Sequence, residues 1–168
     1  MNKAFLLVLL SIIPLLISSE SKTPQILNKR ITPINILPSQ NSTPHLINAL
    51  IHVESRGKSD AIGDVHLKTP SIGVLQIRPI MVREVNRILK KRGKNKYFIL
   101  NDRFSKSKSI EMFKIWKGYH HKNSSDEVIS RCWNGGSLGY KNKSTLQYWG
   151  KVKDKLEQLN GKIRIITF

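Results

Sequence analysis

The feature that most constrains the fold is an amphipathic segment that runs from Thr43 to Gly57. Thr43 is a favourable N-cap and Pro44 suits the first helical position, so the sequence predicts a helix that begins here. Gly57 offers a C-cap at its other end. The apolar residues of the segment recur at the spacing of one helix face: Leu46, Ile47, Leu50 and Ile51.

Glu54 continues this apolar stripe, because it follows Leu50 and Ile51 at helical spacing. It also lies in the last predicted turn, where the helix dipole disfavours a negative charge. Burial and the dipole both favour the neutral acid, so we predict a raised pKa for Glu54. A carboxyl group that is protonated near neutral pH can donate a proton to a leaving oxygen. The alternative is a surface glutamate at a helix end, or one paired with Arg56.

The first residues have the pattern of a secretory signal. Lys3 precedes a nearly continuous apolar run from Ala4 to Ile17, and small residues follow it. The run is short for a membrane span and Pro14 interrupts it. We therefore predict a signal peptide over residues 1–19 and an exported protein that is periplasmic, wall-associated or extracellular. An uncleaved anchor is the alternative.

The chain is strongly basic, with 29 Lys and Arg against 11 Asp and Glu and a formal charge of +18. Such an excess favours a polyanionic partner. For an exported protein this means anionic cell-wall polymers or a membrane surface rather than nucleic acid. The alternative is a biased composition. The one dense basic cluster, residues 90–96, is interpreted as a solvated helix end and loop.

Residues 20–42 contain prolines and small polar residues, which is typical of an extended arm or linker. Ile34 and Ile36 alternate in this arm, and Ile163 and Ile165 alternate in the C-terminal tail, residues 160–168. Period-two spacing is typical of short strands. We therefore predict a short strand near each end and hypothesise that the two pair.

Helical periodicity dominates residues 43–159, with polar loops over residues 57–70 and 94–104. Residues 71–77 are either a short buried strand or an irregular apolar segment. Four more helices are predicted, from Pro79 to Gly93, from about Ser107 to His120, from Ser124 to Cys132 and from Ser144 to about Leu159. The sequence thus predicts one mainly α domain of about five helices with minor β structure. No disulfide can stabilise it, because Cys132 is the only cysteine.

Three separated motifs and a late tyrosine carry a resemblance to a known family. They are Glu54-Ser55 at a helix end, Gly73-Val-Leu-Gln76, Trp133-Asn134-Gly-Gly136 and Tyr148. In order and spacing they resemble the soluble lytic murein transglycosylases, whose lysozyme-like domain is related to goose-type lysozymes. The resemblance covers about residues 43–155. It implies an α+β lysozyme-like fold, with helices around a groove, and no cofactor.

The resemblance also implies an activity, cleavage of the β-1,4 bond between N-acetylmuramic acid and N-acetylglucosamine in peptidoglycan glycan strands. The catalytic acid of the family falls on Glu54. Gln76 and Asn134 fall on positions that shape the sugar-binding groove, and Ser55 on one that orients the carboxyl or a substrate acetamido group. Tyr148 falls near the acid, although its place in a helical stripe also fits the core.

Two departures from the family pattern affect the expected chemistry. Trp133 replaces a tyrosine, and its indole can stack on a sugar but cannot supply the phenolic hydrogen bond. Arg78 replaces a second acid found in goose-type lysozymes. Hydrolysis with inversion requires another carboxylate to activate water. Asp64, in a Gly63-Asp64 pair like that of goose-type enzymes, is the candidate, with Asp60 behind it. A transglycosylase needs Glu54 alone, and we favour that reaction.

Other functions are less well supported by the sequence. Cys132 could act as a nucleophile with His52, His120 or His121 as base, but its place at a helix end raises a thiol pKa, so a buried apolar role is expected. No spacing matches a metal site, and both His120 and His121 are interpreted as helix-end residues. A non-catalytic cationic wall-binding protein remains an alternative. A specific nucleic-acid binder is disfavoured, because no basic recognition helix is visible.

Overall fold

Five α-helices and one small sheet make up residues 42–166, the part of the chain that the computed structural model describes. The helices are α1 (Ser42–Ser55), α2 (Pro79–Lys91), α3 (Lys106–His120), α4 (Asp126–Gly135) and α5 (Leu146–Ile166). The strands are β1 (Ile62–Gly63) and β2 (Ser71–Ile72). Short 3₁₀ helices span Leu100–Phe104, Gly139–Lys141 and Lys143–Thr145. The predicted fold class, mainly α with minor β structure, is confirmed.

The predicted signal peptide and most of the arm lie outside the described residues, as does the strand expected at Ile34 and Ile36. Within residues 42–166, no helix is both long enough and apolar enough to cross a bilayer.

The amphipathic segment forms α1, but the helix begins at Ser42, so Thr43 lies inside it and is not the predicted N-cap. Its apolar stripe is buried in the core, as predicted. The helix packs mainly against α5 and also contacts α4. Beyond its last residue Arg56 and Gly57 have positive φ angles of 54° and 87°. The Gly57 amide donates to the Ile51 carbonyl at 3.4 Å, which closes the helix as a glycine C-cap does. Glu54 is thereby held in the last turn of a buried helix.

Helices α2 and α3 pack against each other as a second helix pair. Pro79 opens α2, whose buried face is Val82, Val85, Ile88 and Leu89. Ser105 caps α3 by accepting a hydrogen bond from the Lys108 amide. The inward residues of α3 include Met112, Phe113 and Trp116. Ile110 is partly buried and packs against this core.

The start of α4 differs from the prediction by one residue. Ser125, rather than Ser124, is the N-cap, and its hydroxyl accepts from the Val128 amide at 3.3 Å. This register places Asp126 and Glu127 in the first turn, where the helix dipole stabilises acidic side chains. The helix start predicted at Ser124 is therefore one residue too early.

The strand predicted in the C-terminal tail is also wrong, because α5 continues through Gly161 to Ile166. A helix satisfies its backbone hydrogen bonds locally, whereas a strand at Ile163 and Ile165 would need a partner. Gly161 costs only about 1 kcal/mol in a helix interior, which does not end a helix of this length. The core-facing side of α5 includes Val152, which is fully buried, and Tyr148 and Leu156, which are partly buried and pack on the core.

The segment between β2 and α2 is part strand and part irregular turn. β1 pairs antiparallel with β2, with Ile62 opposite Ile72, and Ile72 forms an isolated bridge with Ile77. Val74, Leu75 and Ile77 are buried between these points. The segment is therefore anchored in the core at both ends, and its polar residues face the groove described below.

Arg103 joins this segment to the 3₁₀ helix Leu100–Phe104. It is 6% exposed, and its guanidinium donates to the carbonyls of Pro70 and Ile77 at 3.2 Å and to that of Leu100 at 2.8 Å. Burial lowers its pKa from the ordinary value. The predicted loop over residues 94–104 thus contains an ordered 3₁₀ turn with a structural arginine.

Candidate active site

A groove of about 1200 Å³ crosses the surface where the ends of α1, α3 and α4 meet β2 and α2. Glu54, Asp64 and Gln76 line one part of it. Residues from the ends of α3 and α4 form an opposite wall, including His121 and Trp133. Most of the sequence-predicted site residues therefore meet at one concavity, although they come from four separate parts of the chain.

Glu54 is the carboxyl group of the groove whose pKa is raised. It is partly buried, and burial is the main reason that its pKa rises from 4.5 to about 7. The Tyr148 hydroxyl donates to Glu54 Oε1 at 2.6 Å and lowers this pKa, whereas the nearby charge of Asp64 raises it. The net result is a carboxyl group that exchanges its proton near neutral pH, as the stripe position predicts.

Tyr148 joins α5 to the end of α1 through this hydrogen bond across 94 residues of sequence. Burial and the adjacent Glu54 carboxylate both raise its pKa above the ordinary tyrosine value, so the phenol stays protonated and donates. The sequence left two roles open for Tyr148, site and core. The structure combines them, because the ring packs on the core while the hydroxyl reaches Glu54.

Asp64 is exposed and lines the same groove as Glu54. Its backbone lies in the left-handed region, with φ of 51°, directly after β1. An aspartate tolerates this conformation better than most residues because its short polar side chain can bond locally. The turn therefore brings a second carboxylate to the groove.

Ser55 and Gln76 have their polar groups engaged within the chain. The Ser55 hydroxyl donates to the Val74 carbonyl at 2.9 Å and accepts from the Gly57 amide at 3.1 Å. Ser55 is not among the residues that line the groove. Its hydroxyl ties the end of α1 to the segment after β2, and a part in orienting the Glu54 carboxyl or a substrate acetamido group stays a prediction.

Gln76 lines the groove but has a similar positioning role. Its amide donates to the carbonyls of Gly73 and Ala61, at 2.9 and 3.2 Å, and its oxygen accepts from the Ser71 hydroxyl at 2.8 Å. Gly63 lies against this amide, since a Cβ there would be 2.2 Å from Gln76 Oε1. The side chain holds the β1–β2 turn together, and only its edge faces the groove.

Trp133 and Asn134 lie in the last turn of α4, which ends at Gly135 rather than at Trp133. Trp133 packs edge-on against Phe113 and Trp116, with ring centroids 5.0 and 5.1 Å apart. It is only partly buried, so part of the indole faces the groove. Asn134 is exposed on the groove wall. Both residues therefore line the same groove as Glu54, and their contact with a substrate stays a prediction.

An ion-pair network in this groove has no counterpart among the sequence predictions. Glu84 on α2 accepts two hydrogen bonds from Arg87 at 2.7 Å and pairs with His120 Nε2 at 2.6 Å. Arg87 first, and then His120, lower the pKa of Glu84 to about 2. His120 and His121 thus line the groove as well as lying at a helix end. Only the pairing of α2 with α3 reveals this, since Glu84 and His120 are 36 residues apart.

Cys132 is 2% exposed, and its thiol donates to the Ser137 carbonyl at 3.7 Å. This is the buried role that we expect from its helix position. Within residues 42–166, no three side chains from His, Cys, Asp and Glu lie close enough to hold a metal ion.

The raised pKa of Glu54 predicts a pH-dependent stability. Below pH 4.5 the group is protonated in both states, but between 4.5 and about 7 the unfolded chain ionises first, so stability falls as pH rises. At 1.36 kcal/mol per pKa unit, the loss is about 3 kcal/mol. The free energy of unfolding of Glu54→Gln minus that of the wild type should therefore rise by about 3 kcal/mol from pH 4 to pH 8, as measured by denaturant titration.

Glu157→Gln is the control for this experiment, because Glu157 is exposed on α5 with 67% of its side chain accessible. Its curve should parallel that of the wild type. A constant difference between Glu54→Gln and wild type at both pH values would contradict the raised pKa.

No protein-family model matches this sequence, and a search of curated proteins finds no match.

Proposed function

We propose that this protein is a peptidoglycan lytic transglycosylase. The observation that carries the proposal is Glu54, a carboxyl group with a pKa of about 7 that lines a long groove and accepts a hydrogen bond from Tyr148. A single group of this kind can act first as an acid and then as a base at neutral pH. The substrate class rests on the motif resemblance, and a groove of about 1200 Å³ is large enough for several sugar rings.

In the first step, protonated Glu54 donates its proton to the oxygen of the β-1,4 bond between N-acetylmuramic acid and N-acetylglucosamine. The bond from C1 to that oxygen breaks, and the acetamido oxygen of the muramic acid stabilises the cationic C1. In the second step, the Glu54 carboxylate takes the proton of the C6 hydroxyl, whose oxygen then bonds to C1. The product is a 1,6-anhydro sugar, and no water is consumed.

Other residues in and next to the groove have supporting roles in this scheme. Tyr148 stabilises ionised Glu54 between the two steps, because its hydrogen bond favours the carboxylate. Trp133 offers part of an indole face to a sugar ring, and Asn134 offers an amide to an acetamido group or a hydroxyl. Gln76 and Ser55 hold the segment that faces Glu54.

Hydrolysis of the same bond is the second candidate, because Asp64 lines the groove that contains Glu54. An inverting hydrolase uses a second carboxylate to activate water on the opposite face of the sugar. In this second candidate reaction Asp64 takes that part, as the resemblance to goose-type muramidases implies.

The products distinguish the two reactions. Digested peptidoglycan should release fragments with 1,6-anhydro ends, each lighter by one water than a fragment with a reducing end, as measured by mass spectrometry. Reducing ends alone would assign the hydrolase, and loss of those products in Asp64→Asn would then identify the second carboxylate. Release of no fragments would leave a non-catalytic cationic wall-binding protein.

The proposed substrate lies outside the cytoplasm, which fits the export signal predicted for residues 1–19. The proposed partners are the glycan strands themselves and the anionic polymers or membrane surface around them. The +18 formal charge of the chain favours binding to such surfaces.

A further inference from the structure

The dense basic cluster of the sequence forms one side of a second cavity, of about 950 Å³, next to the C-terminal half of α2. Among the described residues, five cationic side chains line it and no carboxylate does: Arg83, Arg87, Lys90, Lys94 and Lys96. We call this cavity the basic pocket. The sequence indicates a solvated helix end and loop here, and in the fold the loop after Gly93 and the side of α2 line this cavity together.

The five cations differ in how their charge is compensated. Arg87 is paired with Glu84 at 2.7 Å and Lys96 with Glu111 at 2.6 Å. Within residues 42–166, no carboxylate lies within 4.0 Å of Arg83, Lys90 or Lys94. The helix dipole accounts for a lysine in the last turn of α2, such as Lys90. It does not account for Arg83, which lies in the first half of the helix, or for Lys94 beyond its end.

The basic pocket adjoins the groove that contains Glu54, because Arg83 and Arg87 line both cavities. A linear polymer in the groove can therefore extend past α2 and place its next substituents among these cations. Because lysine and arginine bind phosphate and carboxylate oxygens through charge-assisted hydrogen bonds, an anionic substituent fits this pocket.

We propose that the basic pocket binds phosphate or carboxylate groups of a wall polymer whose glycan occupies the groove. This inference rests on the proposed function for the identity of that polymer. The sources are phosphodiester chains attached to the glycan and the carboxylates of its peptide stems. The pocket would thus select anionic, substituted strands over bare glycan.

A charge-matched comparison tests this proposal in the full-length chain. The probe is a fluorescently labelled linear poly(glycerol phosphate), with binding followed by anisotropy at low ionic strength, where screening is weak. All variants carry Glu54→Gln, so turnover does not affect the measurement. Lys90→Gln/Lys94→Gln should weaken binding about tenfold, since two charge-assisted contacts at a partly screened surface are worth about 1.4 kcal/mol together.

The control is Lys143→Gln/Lys151→Gln, which removes the same charge from two exposed lysines that line neither cavity. The control variant should weaken binding less than about twofold, because the loss of two charges changes the long-range attraction little when the formal charge of the chain is +18. Poly-L-glutamate as a second probe separates carboxylate from phosphate binding. Circular dichroism of both double variants checks that each remains folded.

Equal losses in the two double variants would overturn the proposal, because the affinity would then reflect diffuse charge. No loss in either would overturn it too, and so would tighter binding of single-stranded DNA through the same lysines. If wild type releases no glycan fragments while Lys90→Gln/Lys94→Gln alone loses probe binding, the proposed function fails and the pocket stands. If the wild type releases fragments but both double variants bind the probe as tightly as the protein without these lysine substitutions, the proposed function stands and only the proposed anion binding by the basic pocket fails.

Discussion

We expect the Glu54→Gln variant to cleave peptidoglycan at least about 10³-fold more slowly than the wild type. General acid–base catalysis contributes typically about 10²–10⁴-fold, and in the proposed reaction one residue serves both steps. Glutamine keeps the size of the side chain and still accepts the Tyr148 hydrogen bond through its amide oxygen, but it cannot transfer a proton. The measurement is the initial rate of release of soluble glycan fragments at pH 6.

Two further observations make this experiment decisive. Tyr148→Phe removes the donor that favours the Glu54 carboxylate, so the pKa of Glu54 should rise and the alkaline limb of the rate profile should move to higher pH. A purely structural role for Tyr148 would lower the rate without moving that limb. Equal rates for wild type and Glu54→Gln would rule out the proposed enzyme.

The second large effect is on folding. Gly73→Ala should lower the free energy of unfolding by about 3 kcal/mol or more, because two penalties coincide at this position. Its φ of +80° disfavours any residue with a Cβ. A Cβ at this position would also lie 1.9 Å from the Arg103 carbonyl oxygen, so the segment and the 3₁₀ helix would have to separate. Denaturant titration measures the loss.

Gly57→Ala is the matched control for this substitution. Gly57 has a similar φ of +87°, but among the described residues no heavy atom lies within 4 Å of the point that a Cβ would occupy. It should therefore cost only the conformational penalty of about 1–2 kcal/mol. Similar losses for the two variants would show that the close approach between Gly73 and Arg103 adds no strain.

Local patterns predicted much of the helical framework. The stripe of α1, the proline that opens α2 and the inward faces of α3 and α5 are periodic features, and such features depend on neighbouring residues alone. The errors lie at element ends. Either of two adjacent serines can cap α4, and the sequence did not show which one does. A short alternation of isoleucines near the C-terminus proved to be helical, because short patterns cannot distinguish a strand from a helix.

The sequence likewise predicted some features of the candidate site and not others. The position of Glu54 on a buried stripe predicted its raised pKa, and the motifs predicted that Asp64, Gln76, Trp133 and Asn134 would face a common groove. Sequence patterns could not assign hydrogen-bond partners. The resemblance gave Gln76 a part in shaping the groove and Ser55 a part in orienting the carboxyl or an acetamido group. It did not show that both side chains bond to nearby backbone groups, which only the folded β1–β2 region provides.

By itself, the sequence determined which residues are buried on each helix and where a carboxyl group would be forced into apolar surroundings, because amphipathic spacing acts over a few residues. Tertiary structure alone decided that Tyr148 would reach Glu54, that Arg103 would hold the segment after β2, and that basic side chains of α2 and the following loop would surround a cavity. These features depend on distances between parts of the chain far apart in sequence, and such distances are set by the packing of helices.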